Sequence, residues 1–322
     1  MSKKTIAMLS CSAPRHEPPS RNRSKNQHWV SQFYLSYFAT PATRGTKKPQ
    51  VWMFSKDSSN CDENPTNVRN VCGKRYLYAP KDQDGNRNWD VDDQIGDLEA
   101  LLGQLWPDLA TGYVNLGDES IRKAVSLFIA VMHLRHIDNL HKVEEIHAQL
   151  VAFYEPGPLK TDAAPVVGSF EIDGRTCQMD TSDWHKYKNA DKDDHHRSFV
   201  SFIRSEAGSM AKHLLDKRWS IVVSEIDTFI TTDKPVVVSH PTRERFGYGT
   251  PGSIISFPLS PTRLLVLDDL HAEAVNQYYS LISQNAGAFN LMLWQGASRF
   301  FVTGRQLEEV LTEICALEER AK

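Results

Sequence analysis

A chain of 322 residues with 40% hydrophobic and 24% charged residues has the composition of a globular protein with a well-buried core. Its net charge of −3 excludes a polycation that binds nucleic acid through bulk charge, although a local basic groove remains compatible with it. The five cysteines are scattered and form no CxxC pair, which excludes a disulfide framework and a zinc knuckle. We therefore expect a cytoplasmic protein. The sequence contains no apolar run of the roughly 18 residues that a membrane span requires.

The first 25 residues are predicted to form a basic, disordered arm. Lys3 and Lys4 precede an apolar stretch that is too short for a signal peptide, and further basic residues follow it directly. Such an arm is either a solubilising tail or a phosphate-binding segment. Residues 26–322 are predicted to form a single globular domain, with a subdomain boundary near 156–165, where Pro156 and Pro158 interrupt the pattern.

Helices are predicted to dominate the first half of the chain. Apolar residues at helical spacing predict three helices, over 27–39, from about 92 to 109, and over 119–153 with Asp118 as its cap. Residues 51–54 read as a strand. The polar segments 57–70 and 180–196 read as loops.

Strands are predicted to dominate the second half. The pattern predicts a hairpin over 166–179 with Asp173 and Gly174 at its tip, a helix over 197–217, and strands at 220–226, 229–231, 236–238, 254–257 and 264–267. A helix over 271–295, a strand at 299–302 and a helix over 305–320 follow. Because helices and strands do not alternate regularly, we predict an α+β fold, with a helical N-terminal half packed on a mixed or antiparallel sheet from the C-terminal half.

The first polar motif is NQHWVSQFYL at residues 26–35. His28 and Gln32 are four residues apart and would share one face of the predicted helix. Such a face can hold a substrate between a proton-transfer group and an amide. The alternative is structural, with Trp29 and Phe33 as core anchors and His28 bonded to a backbone carbonyl.

The second polar motif is FITTDKPVV at residues 229–237, a polar turn between two apolar segments. Asp233 at this turn can bind a metal, act as a base or accept a hydrogen bond from a ligand. Its structural alternative is a cap on the loop backbone.

Four histidines lie on the predicted long helix, at positions 133, 136, 141 and 147. His133 and His136 are three residues apart, but the helix has no HExxH motif. We therefore expect a solvated or partly buried polar face there and not a metal site.

Several of these motifs resemble DUF4238, a bacterial family of unknown function. The run HWVSQFYLSYF from His28 to Phe38 is similar to the family pattern His-x-Val-Pro-Gln-x-Tyr-Leu-x-x-Phe. Further landmarks of the resemblance span residues 26–303 and include VWMF at 51–54, FIA at 128–130 with Arg135, FITTDKP at 229–235, FPLSP at 257–261, and Asn285. The chain departs from the family at Ser31, where Pro is usual, at His136 and Ile137, where Thr-Pro is usual, and at Lys234, where Asn is common. The resemblance implies a bacterial protein and no particular reaction.

Together, these features predict a phosphoester hydrolase of nuclease type with His28 and Asp233 in one site. His28 would transfer a proton and Asp233 would hold the substrate or a divalent metal. The residues predicted to position or neutralise the substrate are Gln32, Arg135, Lys234 and Asn285. The expected partner is a nucleic acid or a nucleotide. The alternative is a non-enzymatic ligand- or nucleotide-binding sensor or effector of a bacterial defence or toxin-like locus. An enzyme requires His28 and Asp233 to converge, whereas a binder requires only an aromatic groove.

Overall fold

The computed structural model describes residues 23–57, 64–154, 167–172, 175–180, 182–282 and 286–321. The helices of this part, in chain order, are α1 (Gln32–Tyr37), α2 (Asp90–Thr111), α3 (Glu119–Leu134), α4 (Ile137–Tyr154), α5 (Trp184–Lys188), α6 (Lys192–Leu215), α7 (Ala286–Gly296) and α8 (Leu307–Ala321). The strands of the first half are β1 (Asn26–His28), β2 (Gln50–Ser55), β3 (Thr66–Asn67) and β4 (Gly73–Arg75). Those that follow are β5 (Val167–Ile172), β6 (Arg175–Asp180), β7 (Arg218–Val223), β8 (Thr231–Thr232), β9 (Val237–Ser239), β10 (Ile254–Ser260), β11 (Arg263–Asp268), β12 (Gln277–Ser280) and β13 (Phe300–Thr303).

This element order confirms the predicted α+β class. Two larger sheets carry most of the strands. One has five strands in the order β12-β7-β11-β10-β9, and it is antiparallel except for the parallel pair β12 and β7. The other is antiparallel, has four strands in the order β3-β2-β13-β8 and draws two strands from each half of the chain.

Two of the segments discussed from the sequence lie wholly or largely outside the described residues. They are the basic arm up to residue 22 and the boundary near 156–165. The hairpin predicted over 166–179 is confirmed by the antiparallel pairing of β5 with β6. Among the helices of the described part, none combines the length and the hydrophobicity needed to cross a membrane.

The core lies between the helices and the five-stranded sheet. The fully buried Tyr34 on α1 stacks on Phe257 of β10, with 5.3 Å between ring centroids, and its hydroxyl donates to the carbonyl of Pro258 at 2.8 Å. Trp106 on α2 donates its indole N–H to the carbonyl of Leu259 at 3.1 Å. Burying each large side chain contributes about 1.5–3 kcal/mol. These contacts therefore fix α1 and α2 against β10.

The predicted long helix over 119–153 is wrong, because the structure divides it into α3 and α4. α3 starts as predicted, since Asp118 accepts from the backbone N–H groups of Ser120 and Ile121. It ends where the side chain of Asn139 donates to the carbonyls of His133 and Leu134 at 3.0 and 2.9 Å. An Asn side chain that takes these carbonyls replaces the N–H groups that a continuous helix would supply. The chain therefore turns at Arg135 and His136.

Three further predictions need correction. The segment 27–39 is not one helix, because residues 26–28 pair with β4 before α1 begins. The segment 271–295 contains β12, whose tyrosines pair with β7, so the apolar spacing that suggested a helix belongs in part to a strand. Part of the polar segment 180–196 is helical, and the capping box of Asp191 and Asp194 begins α6 there.

The four-stranded sheet brings two distant segments together at one end. β8 and β13 pair antiparallel, so the residue after β8 lies opposite the residues before β13. Asp233 is fully buried, and its two carboxylate oxygens accept from the backbone N–H groups of Ser298 and Arg299 at 3.0 and 2.9 Å. Asp233 therefore holds the segment 298–299 in place.

We expect Asp233→Ala to lower the free energy of unfolding by about 2–4 kcal/mol, because it leaves two N–H groups without an acceptor and each costs about 1–3 kcal/mol. Asp233→Asn keeps one acceptor oxygen and is expected to lose less. Denaturant unfolding measures both variants. Asp84→Ala, at an exposed loop position, is the control and is expected to stay within about 0.5 kcal/mol of the parent chain. An equal loss in Asp84→Ala and Asp233→Ala contradicts this role.

Candidate functional site

An open cleft of about 400 Å³ lies beside β1, the first half of α2 and the end of α3. Its volume is within the range of small-molecule sites. The side chains that give it its polar character are Gln27, His28, Gln32, Asp92, Glu99 and Arg135. The structure thus brings together His28, Gln32 and Arg135, three of the residues that the sequence analysis named.

Both ring nitrogens of His28 have partners inside the cleft. Nε2 donates to the carbonyl of Arg69 at 3.0 Å, and the amide of Gln32 donates to Nδ1 at 3.1 Å. A Cβ at Gly73 would lie 3.1 Å from Nε2, so the glycine gives the ring its space. Burial lowers the pKa of His28 below its ordinary value, against the opposing hydrogen bond to Arg69. A neutral ring without a free nitrogen can transfer a proton only after Gln32 moves away.

Arg135 is buried at the base of the cleft, with 1% of its side chain exposed. Its Nε donates to the carbonyl of Trp29 at 3.0 Å, its Nη2 to the hydroxyl of Ser31 at 2.6 Å, and its Nη1 to the carboxylate of Glu99 at 2.7 Å. Ser31 donates in turn to Glu99 at 2.6 Å. Because these partners occupy the guanidinium, the predicted role of Arg135 in neutralising a substrate stays a prediction.

Asp233 is absent from the side chains that line the cleft of His28. Burial raises its pKa, against the hydrogen bonds that the backbone donates to it. Asp233 thus corresponds to the alternative in which it caps a loop backbone, and a site shared with His28 stays a prediction. Burial also lowers the pKa of the neighbouring Lys234. Asn285 lies outside the described residues.

A second polar cluster is centred on the ring of Trp29. We call it the donor cluster, and it consists of the side chains of Trp29, His136 and Arg299. The rings of Trp29 and His136 meet edge to face, with 6.1 Å between centroids, and the guanidinium of Arg299 lies 5.4 Å from the centre of the Trp29 ring. Asp233 sets this geometry, because it holds the backbone N–H of Arg299.

Four nitrogen atoms of the donor cluster are buried and have no hydrogen-bond partner within the described part of the chain. They are Trp29 Nε1, His136 Nε2, Arg299 Nε and Arg299 Nη2. Nε and Nη2 form the edge of a guanidinium that binds carboxylate or phosphate oxygens in a bidentate manner. The nearest charged oxygen, Oδ2 of Asp233, is 3.9 Å from Nε and already accepts from the backbone. The side chain of Arg299 as a whole is 42% exposed, whereas its Nε and Nη2 are buried.

His136 is oriented by Asp138. The backbone N–H of Asp138 lies 3.2 Å from Nδ1 of His136 and its carboxylate lies 3.3 Å from the same atom. When Nδ1 accepts from the backbone N–H of Asp138, the proton of the neutral ring is on Nε2, which then donates. The hydrogen bond with His136 comes first among the causes that hold the pKa of Asp138 well below its usual range, and the hydroxyl of Ser298 donates to the same carboxylate at 2.6 Å.

The charge around the donor cluster is mainly positive. Burial, together with the nearby charges of Lys234 and Lys142, lowers the pKa of His133 to about 3. Lys234 itself is close enough to Lys142, Lys56, Asp138 and Asp233 for each to shift its pKa. Four cations, counting Arg299, therefore surround two carboxylates, both of which already accept hydrogen bonds from protein donors.

Sequence reasoning missed most of this cluster. His136 was assigned to a polar helix face, yet it is 2% exposed and lies at the turn between α3 and α4. Arg299 belongs to none of the motifs found in the sequence. The pairing of β8 with β13 brings it to the cluster. Trp29 was read as a core anchor, which it is, but its indole N–H has no partner among the described residues. That a buried donor lacks a partner can be recognised only from the three-dimensional structure.

The divalent metal suggested for Asp233 does not fit the geometry. Within the described ranges, no group of three or more His, Cys, Asp or Glu side chains is placed to hold a metal ion. Both oxygens of Asp233 already accept from backbone N–H groups. We therefore derive no step through a metal.

The comparisons with known proteins give one finding. Neither the curated proteins nor the solved structures contain a match to this chain. A family model described as a protein of unknown function, DUF4238, matches residues 26–306. That match includes β1, the turn between α3 and α4, and the segments around Asp233 and Arg299. The chain therefore belongs to the DUF4238 family.

Proposed function

We propose that this chain is a hydrolase of phosphate esters and that the donor cluster of Trp29, His136 and Arg299 holds the phosphoryl group. The observation that carries the proposal is the set of four buried donor atoms without a partner among the described residues. An unsatisfied buried donor costs about 1–3 kcal/mol. An oxyanion bound among these side chains supplies acceptors for such donors, and water is the other occupant that can satisfy them.

The composition of the cluster favours a phosphoryl group over other acceptors. The free atoms all donate, and one pair of them is the bidentate edge of Arg299. The three side chains come from separate parts of the chain, and a tetrahedral group presents oxygens towards several directions at once. The surrounding lysines add long-range attraction for a dianion.

His136 and Asp138 supply the acid–base chemistry that such a reaction needs. Water adds to phosphorus, the bond from phosphorus to the ester oxygen breaks, and Nε2 of His136 gives its proton to the leaving oxygen. The proton lost by the attacking water then returns to His136. Asp138 orients the ring and stabilises its charged form, while Arg299 takes up the charge on the phosphoryl oxygens.

This proposal keeps the reaction class inferred from the sequence and changes the residues that perform it. His136 takes the proton-transfer role that the sequence assigned to His28. Asp233 becomes a positioning residue for Arg299, and Lys234 remains a candidate for binding the substrate. A nucleotide or nucleic acid carries the required ester and remains the proposed partner.

We expect His136→Asn to lower kcat by about 100-fold or more, because a positioned proton donor contributes roughly that much. The measurement is the hydrolysis of 4-nitrophenyl phosphate and bis(4-nitrophenyl) phosphate, with the fold checked by circular dichroism. His141→Asn, at an exposed position on α4, is the matched control and is expected to keep the parent rate. Unchanged kinetics in folded His136→Asn, or a loss confined to His28→Asn, contradicts the assignment.

Inorganic phosphate is expected to stabilise the folded chain, because a ligand that binds only the native state adds about 2.7 kcal/mol at one hundred times its Kd. Arg299→Gln is expected to abolish this stabilisation, since it removes the guanidinium edge. Arg243→Gln, which changes an exposed arginine, is expected to retain it. Denaturant unfolding at several phosphate concentrations, with sodium chloride at matched ionic strength, measures the effect. Equal responses in the two variants mean that phosphate acts elsewhere.

A further inference from the structure

The cleft beside β1 differs in charge from the donor cluster. Asp92 and Glu99 are seven residues apart on α2, so both face the same side of the helix and line the cleft. Glu99 is paired with Arg135. Within the described residues, Asp92 has no lysine or arginine in ion-pair contact. The cleft therefore contains one carboxylate without a lysine or arginine partner among the described residues.

A second observation points to a ligand at the same place. Gln27 is 4% exposed and lines the cleft, and its Oε1 accepts from the backbone N–H of Tyr78 at 2.6 Å. Its Nε2 faces Asp92 but makes no hydrogen bond of normal geometry to any described residue. A fixed amide thus carries an Nε2 without a partner of normal geometry, next to a carboxylate that has no cation in ion-pair contact.

We propose that this cleft binds a small primary amine that carries a carbonyl or hydroxyl oxygen beside its ammonium group. The ammonium pairs with Asp92, and the neighbouring oxygen accepts from Nε2 of Gln27. The site is separate from the donor cluster and does not depend on the function proposed for that cluster.

The electrostatics of the cleft support a cationic ligand. The pKa of Asp92 is raised to about 6, mainly by burial and also by the charges of Asp93 and Glu99, against the opposing effects of the Gln27 amide and Arg135. A cation that binds there compensates this buried negative charge. His28, which also lines the cleft, has its pKa lowered by burial and does not compete as a cation at neutral pH.

The pH dependence follows from the two partners. Asp92 becomes charged as the pH rises through about 6, whereas an α-amino group loses its charge above about 7.7–8.0. Because binding needs both charges, affinity is highest between these limits. It falls on the acid side as Asp92 is protonated and on the alkaline side as the amine is deprotonated.

The test compares alaninamide with N-acetylalaninamide, which has the same carbonyl but no charge on nitrogen. Calorimetry on the full chain at pH 7 is expected to show binding of alaninamide at least about tenfold tighter. Asp92→Asn is expected to remove this preference and the acid limb of the pH profile. Removing a buried unpaired charge is not expected to unfold the chain.

Asp93→Asn is the matched control, because it makes the same chemical change in the same turn of α2. Its side chain pairs with Arg23 at 3.1 Å and does not line the cleft. It is expected to keep the preference for alaninamide. Equal affinity for the two amides, no binding of either, or an unchanged preference in Asp92→Asn overturns the proposal.

Discussion

The buried guanidinium of Arg135 joins three parts of the chain that no single helix or strand connects. It bonds to the carbonyl of Trp29 after β1, to the hydroxyl of Ser31 before α1 and to the carboxylate of Glu99 on α2, and it lies at the end of α3. A buried charge is tolerated only when it is paired and its donors are satisfied, and removing one partner of such a pair costs about 3–5 kcal/mol. The position of Trp29, and thus of everything that packs against its ring, depends on this network.

Neighbouring residues on either side of this network face different surroundings. His28 and Arg135 belong to the cleft, which carries the carboxylates of Asp92 and Glu99. Trp29 follows His28 and His136 follows Arg135, and both belong to the donor cluster with Arg299, near several lysines. Residues adjacent in sequence thus belong to two different sites, the cleft with its carboxylates and the donor cluster with its cations. The two proposed sites therefore have no side chain in common.

The sequence predicted those features that depend on local chemistry. Asp118 caps α3, the strands predicted at 254–257 and 264–267 form within β10 and β11, and His28 and Gln32 touch although they do not share a helix. The sequence could not predict features that depend on residues distant along the chain. The turn at Arg135 requires Asn139, whose side chain takes two helix carbonyls, and β12 forms because β7 offers it an edge. Arg299 shows no signal in the sequence, since its role arises from the pairing of β8 with β13 and from the carboxylate of Asp233.

The central claim is that the unpaired donors of Trp29, His136 and Arg299 bind an oxyanion. Its most direct test is a crystal of the full chain soaked in sodium selenate, with an anomalous difference map that locates selenium. The account predicts a peak whose oxygens lie about 3 Å from the indole nitrogen of Trp29, Nε2 of His136 and the Nε/Nη2 edge of Arg299. Ordered water at these atoms, with no selenium peak beside them, would contradict it.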